Sequence, residues 1–161
     1  DYAATAFNQD VEADGVINLK HPSPTWPKGA PVCPILVNSR KQLWAELARQ
    51  VDRLITLNNI NPTDITILSA DPYRALKSYD GGSLLTFGDQ IGNHMLVPVE
   101  QAGSGIRLDT IRRFKGLESP IVIVVEYPET TGTLRYLAYT RAQAELIVLR
   151  VQGVKSGRHA A

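Results

Sequence analysis

Residues Pro120–Val125 form a continuous apolar run, most of it β-branched. A run that does not alternate with polar residues is typical of a strand buried on both faces of a parallel sheet. A second, similar run at 145–149 follows a stretch with helical character at 134–144. Parallel strands need a crossover between them, and the crossover is usually a helix. The two runs therefore predict an α/β layered domain with a mainly parallel sheet.

The N-terminal half continues this alternation of strands and helices. Pro34–Val37 predicts a short strand, and Ile65–Ser69 predicts another because it is apolar and β-branched. Between them, apolar residues recur at three- and four-residue spacing from an N-cap at Asn38 or Ser39 to about Asn58, which predicts an amphipathic helix. Less strongly patterned segments predict a short helix at 73–79 and strands at 84–87, 95–99 and 106–110.

The chain divides into three segments of different composition. Five prolines between positions 22 and 34 exclude a long helix and predict an irregular, Pro-rich entry segment at 1–38. The α/β domain is expected at 39–151, followed by a polar tail at 152–161 that frays. Because the sequence begins with Asp1 rather than Met, we expect it to be a domain of a longer protein.

Several classes of protein are excluded by what the sequence lacks. No stretch approaches the ~18 consecutive apolar residues of a membrane span, so no membrane partner is expected. The single cysteine, Cys33, excludes an internal disulfide. No metal is expected either, because none of the three histidines has a partner at zinc-ligand spacing. A net charge of +1 neither requires nor excludes a nucleic-acid partner.

One segment is locally basic and lies directly before the run at 120–125. Four cations fall within nine positions and are opposed by two acids: Arg107, Arg112, Arg113 and Lys115 against Asp109 and Glu118. Polar residues at the edge of a sheet are where α/β domains usually build ligand sites, and Gly116 lets the backbone approach a ligand closely. The alternative is a solvated basic loop with a turn glycine, and charge alone favours that alternative.

A second polar position interrupts an apolar context. Arg141 lies among apolar and small residues in the segment Tyr136–Ala142, directly before the run at 145–149. An arginine in such surroundings either pairs with a carboxylate or binds an anion. The residue pattern favours the structural ion pair slightly over the ligand contact.

The two segments together resemble a known family. FKGLE at 114–118, an apolar strand, YLAYTRA at 136–142 and another strand follow one another as motifs V and VI do in UvrD-like superfamily 1 helicases. The stretch TIRRFKGLE is most similar to the UvrD C-terminal-like branch. The resemblance covers about residues 106–150. It implies a RecA-like, P-loop NTPase-type domain, the second motor domain of an ATP-dependent helicase or translocase.

The resemblance implies a nucleotide site. Arg141 matches the arginine finger of motif VI, which contacts the γ-phosphate of ATP and needs a permanently charged, planar donor. Glu118 matches the motif V glutamate near the nucleotide ribose, and Lys115 and Gly116 shape the same loop. Tyr136 and Thr140 are expected to support the helix rather than to contact nucleotide.

The resemblance also implies nucleic-acid contacts. Thr110 and Arg112 match the part of motif V that touches the single-stranded backbone, and Arg113 belongs to the same basic stretch. Family members usually carry His where this chain has Arg112, and arginine keeps a phosphate donor but loses a stacking imidazole. Single-stranded DNA is the expected partner, with RNA as the alternative. The family's majority implies a cytoplasmic, bacterial setting.

Two motifs of a complete motor are missing. The sequence contains no G-x-x-x-x-G-K-[ST] and no Asp-Glu pair of the Walker B kind. The domain therefore lacks its own P-loop, and the resemblance implies that an N-terminal RecA-like domain supplies the P-loop and the Mg²⁺ ligands for ATP. The isolated chain is then inactive. The family's helical insertion before motif V has no room, because only residues 80–105 occupy its place.

Two other functions fit the same residues. A degenerate helicase-like domain could serve as a non-catalytic interaction module. An unrelated α/β domain could use residues 103–118 to bind a phosphorylated small molecule, and it would bind its ligand tightly without a partner domain.

Overall fold

A computed structural model describes residues 32–69, 88–101 and 103–152, and the predicted elements at 73–79 and 84–87 lie outside these ranges. Seven strands and two α-helices occur in the described ranges. The strands are β1 Ile35–Val37, β2 Ile65–Ser69, β3 Gln90–Ile91, β4 His94–Val97, β5 Ile106–Thr110, β6 Ser119–Glu126 and β7 Ala142–Val151. The helices are α1 Arg40–Asp52 and α2 Gly132–Tyr139.

The strands form one sheet in the order β1-β7-β6-β2-β5-β4-β3. Every neighbouring pair is parallel except β3 and β4. All five residues of β2 are buried, and so is most of β6. Strands covered on both faces need apolar residues at successive positions, which explains the unbroken runs in the sequence. The prediction of an α/β layered fold with a mainly parallel sheet is confirmed.

Helix α1 forms because its N-terminus is capped and one face is apolar. The Ser39 hydroxyl accepts a hydrogen bond from the Gln42 backbone N–H, and the Gln42 side chain accepts one from Asn38 N–H over 2.8 Å. The buried side chains recur at helical spacing: Leu43, Leu47, Val51 and Leu54. A π-helical turn, Arg53–Leu57, continues the helix to its end at Asn58, as predicted. The helix contacts both β1 and β3, the two outermost strands of the curled sheet.

The predicted helix at 134–144 is wrong in its second half. Helix α2 ends at Tyr139, and β7 begins at Ala142. The Thr140 hydroxyl donates back to the Tyr136 carbonyl over 3.0 Å, and the Arg141 carbonyl accepts from Ser119 N–H over 3.0 Å. Pairing with β6 thus overrides the helical propensity of the residues after position 141.

One further boundary differs from the sequence prediction. The predicted strand at 95–99 ends at Val97, because Pro98 has no N–H to donate, and a 3₁₀ turn follows at Val99–Gln101. Strand β1 comes from the end of the Pro-rich segment and pairs with β7 at the edge of the sheet. The division of the chain into three segments stays a prediction.

Candidate functional site

The structure places the predicted site residues at two opposite edges of the sheet. Thr110 ends β5 at the carboxyl edge, in register with Ser69. Glu118 directly precedes β6, and Arg141 directly precedes β7, so both lie at the amino edge. Val125 is level with Ser69, and the six residue steps from Ser119 to Val125 span about 20 Å. The predicted residues therefore form two groups rather than one.

The crossover 111–118 joins the two groups and follows β5 directly. Ile111 and Phe114 are buried in the core, whereas Arg112, Arg113 and Lys115 are exposed. Phe114 N–H donates to the Thr110 carbonyl over 3.0 Å, which starts a series of tight turns. Because Ile111 and Phe114 are both packed in the core, the cations between them and directly after them face solvent.

Cations at the carboxyl edge differ in whether they are neutralised. Arg113 forms an ion pair with Glu100, and its Nε lies 3.6 Å from an oxygen of Asp109. The side chains of Arg112 and Lys115 make no hydrogen bond or ion pair within the described ranges. Arg112 is therefore the better donor for a phosphate. Sequence reasoning missed Glu100, since nothing local pairs it with a residue thirteen positions later.

Burial changes the electrostatics of this edge. Desolvation raises the pKa of Asp109, although the Thr110 N–H bond to its Oδ1 at 2.6 Å and nearby Arg113 favour the charged form. A raised folded-state pKa means that the folded protein binds the proton more tightly than the unfolded chain does. The resulting stabilisation is complete below the ordinary pKa of 3.8 and is lost as the pH rises through the folded value.

We therefore expect Asp109→Asn to change the pH dependence of stability. The free energy of unfolding of the wild type, minus that of the variant, should fall as the pH rises above about 4. Chemical denaturation at a series of pH values measures this difference. Asp52→Asn, an exposed position on α1, is the control for the substitution itself. A difference that stays level or rises with pH would contradict the assignment.

At the amino edge, Arg141 is half-buried and held by neutral oxygens only. Its Nε donates to the Leu137 carbonyl over 3.0 Å, and Nη2 donates to the Thr140 hydroxyl over 3.1 Å. Nη1 makes a longer contact of 3.4 Å with the Leu117 carbonyl. Within the parts of the chain that the structure describes, no carboxylate lies at ion-pair distance from Arg141. A structural ion pair of Arg141 with a carboxylate is therefore not formed within these ranges.

Glu118 immediately precedes β6 and lies next to Arg141, which immediately precedes the neighbouring strand β7. Ser119 and Ala142 are register partners, so the residues that precede them are adjacent across strands about 4.8 Å apart. Glu118 is exposed and accepts a bond from Gln143 Nε2 over 2.9 Å. Gly116, with φ +87°, makes the turn that brings the chain to this edge. Arg141 and Glu118 therefore occupy adjacent positions at the amino edge.

The described residues hold neither a metal-ligand cluster nor a helix suited to crossing a membrane. No group of three or more His, Cys, Asp or Glu side chains in residues 32–69, 88–101 and 103–152 is arranged to hold a metal ion. None of the helices described is both long enough and apolar enough to cross a bilayer.

Comparison with known proteins supports the fold. The chain is similar to the crystal structure of the C-terminal domain of a possible DNA helicase from Lactobacillus plantarum WCFS1, with a TM-score of 0.60. The match covers 94% of this chain and 84% of that one, at 14% sequence identity. No family model and no curated protein matches. The similarity is one of fold, an α/β layered domain, and it is consistent with the RecA-like kind that the sequence motifs implied.

Proposed function

We propose that this chain is the second RecA-like motor domain of an ATP-dependent, UvrD-like superfamily 1 helicase or translocase that moves on single-stranded DNA. The observation that carries the proposal is the state of Arg141. Its guanidinium is always charged, is half-buried and, within the described ranges, has only neutral oxygens as partners. A partly desolvated cation without a counter-charge favours the arrival of an anion.

A nucleotide phosphate is the anion that fits this position best. The Nε bond to Leu137 orients the guanidinium plane, while the contact from Nη1 to Leu117 is long and weak. An oxygen of the γ-phosphate is a stronger acceptor than a backbone carbonyl, because charge-assisted bonds are about twice as strong. Glu118 offers carboxylate oxygens to the ribose hydroxyls. The P-loop and the Mg²⁺ ligands come from an N-terminal RecA-like domain across the cleft.

The opposite edge supplies the single-strand contacts. Arg112 is an exposed cation without an ion-pair partner in the described ranges, and the Thr110 hydroxyl accepts from Arg113 N–H over 3.1 Å while keeping its own hydrogen to donate. Backbone phosphates dominate the affinity of such surfaces. ATP-driven closure of the cleft, followed by opening on hydrolysis, shifts this domain against its partner and moves the strand.

Salt dependence of oligonucleotide binding tests the nucleic-acid half of the proposal. Each phosphate neutralised on a single strand contributes about 0.7 to the slope of log affinity against log salt. We expect Arg112→Ala to reduce the slope for an oligo(dT) by about that amount. Arg113→Ala should reduce it less, because Glu100 already neutralises Arg113. Fluorescence anisotropy of a labelled oligo(dT) over a salt series measures the slope.

A surface lysine provides the matched control. Lys41 is exposed in the first turn of α1, which follows β1, and β1 lies four strands from β5 in the sheet order, so Lys41→Ala should leave the slope unchanged. Binding that does not weaken with salt, or equal effects at Arg112 and Lys41, would argue against this surface. Tight binding of a phosphorylated small molecule by this chain alone would favour the alternative α/β domain.

A further inference from the structure

Two polar side chains, Arg107 and Ser119, lie between the two candidate sites. Arg107 is half-buried on β5, and Ser119 is fully buried at the start of β6. Arg107 Nη2 donates to Ser119 Oγ over 2.8 Å. Because β2 lies between β5 and β6 in the sheet, this bond reaches across a whole strand. The contact therefore ties together the two strands that the crossover 111–118 connects.

The Ser119 hydroxyl uses its full hydrogen-bonding capacity. It accepts from Arg107 and also from Thr66 Oγ1, on the intervening strand, over 3.0 Å. Its own hydrogen faces the carbonyls of Asp64 and Ile121, each at 3.0 Å. A hydroxyl has one donor and two acceptor sites, so all of them are occupied. Removing it would leave buried partners unsatisfied, which is costly in a low dielectric.

Arg107 contacts the crossover 111–118 through the ring of Phe114. Its guanidinium carbon lies 5.9 Å from the centre of the Phe114 ring, within the range of a cation–π contact. Burial lowers the pKa of Arg107, partly opposed by the nearby Asp64 carboxylate, so the guanidinium depends on the contacts it makes. Phe114 N–H in turn donates to the Thr110 carbonyl. Arg107 thereby touches the segment that carries Arg112.

Ser119 contacts Arg141, the residue that precedes β7. Its backbone N–H donates to the Arg141 carbonyl over 3.0 Å. Glu118 is the residue immediately before it in the chain. An unbroken series of contacts thus runs from Thr110 through Phe114, Arg107 and Ser119 to Arg141.

We propose that Arg107 and Ser119 are positioning residues that couple single-strand binding at the carboxyl edge to nucleotide binding at Arg141. The inference rests on the proposed function of the two edges. When a phosphate chain binds Arg112 and shifts the crossover, the Phe114 ring moves with it. The rigid Arg107–Ser119 bond passes that shift to the start of β6 and so to the Arg141 carbonyl. Contiguous packed and hydrogen-bonded groups with two arrangements are the physical carriers of such coupling.

Linked binding equilibria test the proposal in the protein that contains this chain together with its P-loop domain. The quantity measured is the dissociation constant of an oligo(dT) with and without a non-hydrolysable ATP analogue. Coupled sites commonly change each other's affinity by about 5–150-fold. The coupling ratio is the dissociation constant of the oligo(dT) without the ATP analogue compared with its value in the presence of the analogue. We expect this ratio to differ from one by a factor in that range for the wild type, and to be close to one for Arg107→Met and for Ser119→Ala. Each ligand alone should still bind both variants, since neither residue belongs to either site.

Three further variants separate coupling from folding and charge. Arg53→Met removes one charge from a half-buried arginine whose bonds go to Gln50 and Glu145, and it should keep the wild-type ratio. Arg107→Lys keeps the charge but lacks the planar fork that reaches Ser119 and Phe114 together, so it should also lower the ratio. Combining Arg107→Met with Ser119→Ala should lower the ratio no further than either single change.

Two kinds of negative result have different meanings. A wild-type ratio well above one that persists in Arg107→Lys and Ser119→Ala would overturn the coupling role while the proposed function stands. A wild-type protein that binds no oligonucleotide, or whose ratio is one, would instead count against the motor itself.

Discussion

Replacing Arg141 with alanine is expected to lower single-strand-stimulated ATP turnover by about 10³-fold or more, in the protein that joins this chain to its P-loop domain. Under the proposed function, the guanidinium would stabilise charge that develops on the transferring phosphoryl group, so its loss would raise the barrier of the chemical step. Ground-state contacts to ATP would come mainly from the P-loop side. The affinity for ATP should therefore change little while kcat collapses, and steady-state kinetics with an equilibrium binding assay separates the two quantities.

Two control variants make the Arg141 result specific. Arg141→Lys keeps a positive charge but loses the planar fork, so we expect turnover well below that of the wild type. Arg53→Ala removes an arginine that pairs with Glu145 over 2.5 Å, and it should affect stability while sparing turnover. Turnover that is unchanged in Arg141→Ala would exclude the finger role. An ATP-inactive parent protein would favour a non-catalytic interaction module.

The fold was predictable wherever local pattern and tertiary environment agree. The core strands β2 and β6 are rich in apolar residues at successive positions because both of their faces are covered, and a single sequence shows this directly. The spacing of Leu43, Leu47 and Val51 likewise predicts the buried face of α1. In these elements, local propensity and final packing favour the same conformation.

The end of α2 shows where local pattern fails. Residues 142–145 are Ala, Gln, Ala and Glu, which favour a helix when they are considered alone. They form a strand because Ser119, more than twenty positions away, pairs with Ala142. The early start of β7 at Ala142 determines the position of Arg141. The residue lies in the turn between helix and strand, where its backbone carbonyl can bond to β6 and its side chain can cap the last helical turn.

The candidate site was predictable as a set of residues but not as an arrangement. The motifs identify Thr110, Glu118 and Arg141, yet nothing in their spacing shows that an eight-residue crossover carries the chain from one edge of the sheet to the other. The ion pair of Arg113 with Glu100 and the bond of Arg107 to Ser119 have no local signal, since both depend on strand order. The structure was therefore needed to show that Arg113 is paired with Glu100 and that Arg112 has no ion-pair partner within the described ranges.

Phe114 should be the most sensitive position for the stability of that crossover. Its ring is fully buried, and among the described core residues with no measurable exposure it is the largest side chain. Phe→Ala substitutions in cores typically cost about 3–5 kcal/mol, because apolar contacts are lost and a cavity remains. We expect Phe114→Ala to lower the free energy of unfolding by an amount in that range. Urea denaturation of this chain, followed by circular dichroism, measures the change.

The neighbouring Leu117 supplies a matched comparison on the same crossover. It is 42% exposed, so Leu117→Ala should cost much less than Phe114→Ala. Equal losses at the two positions would mean that the ring does not anchor the crossover. A small loss at both would mean that residues 111–118 are held by their hydrogen bonds and ion pairs rather than by the packing of these two side chains. The expected contrast arises because only Phe114 is fully removed from water on folding. Its ring also contacts the Arg107 guanidinium between the two edges of the sheet.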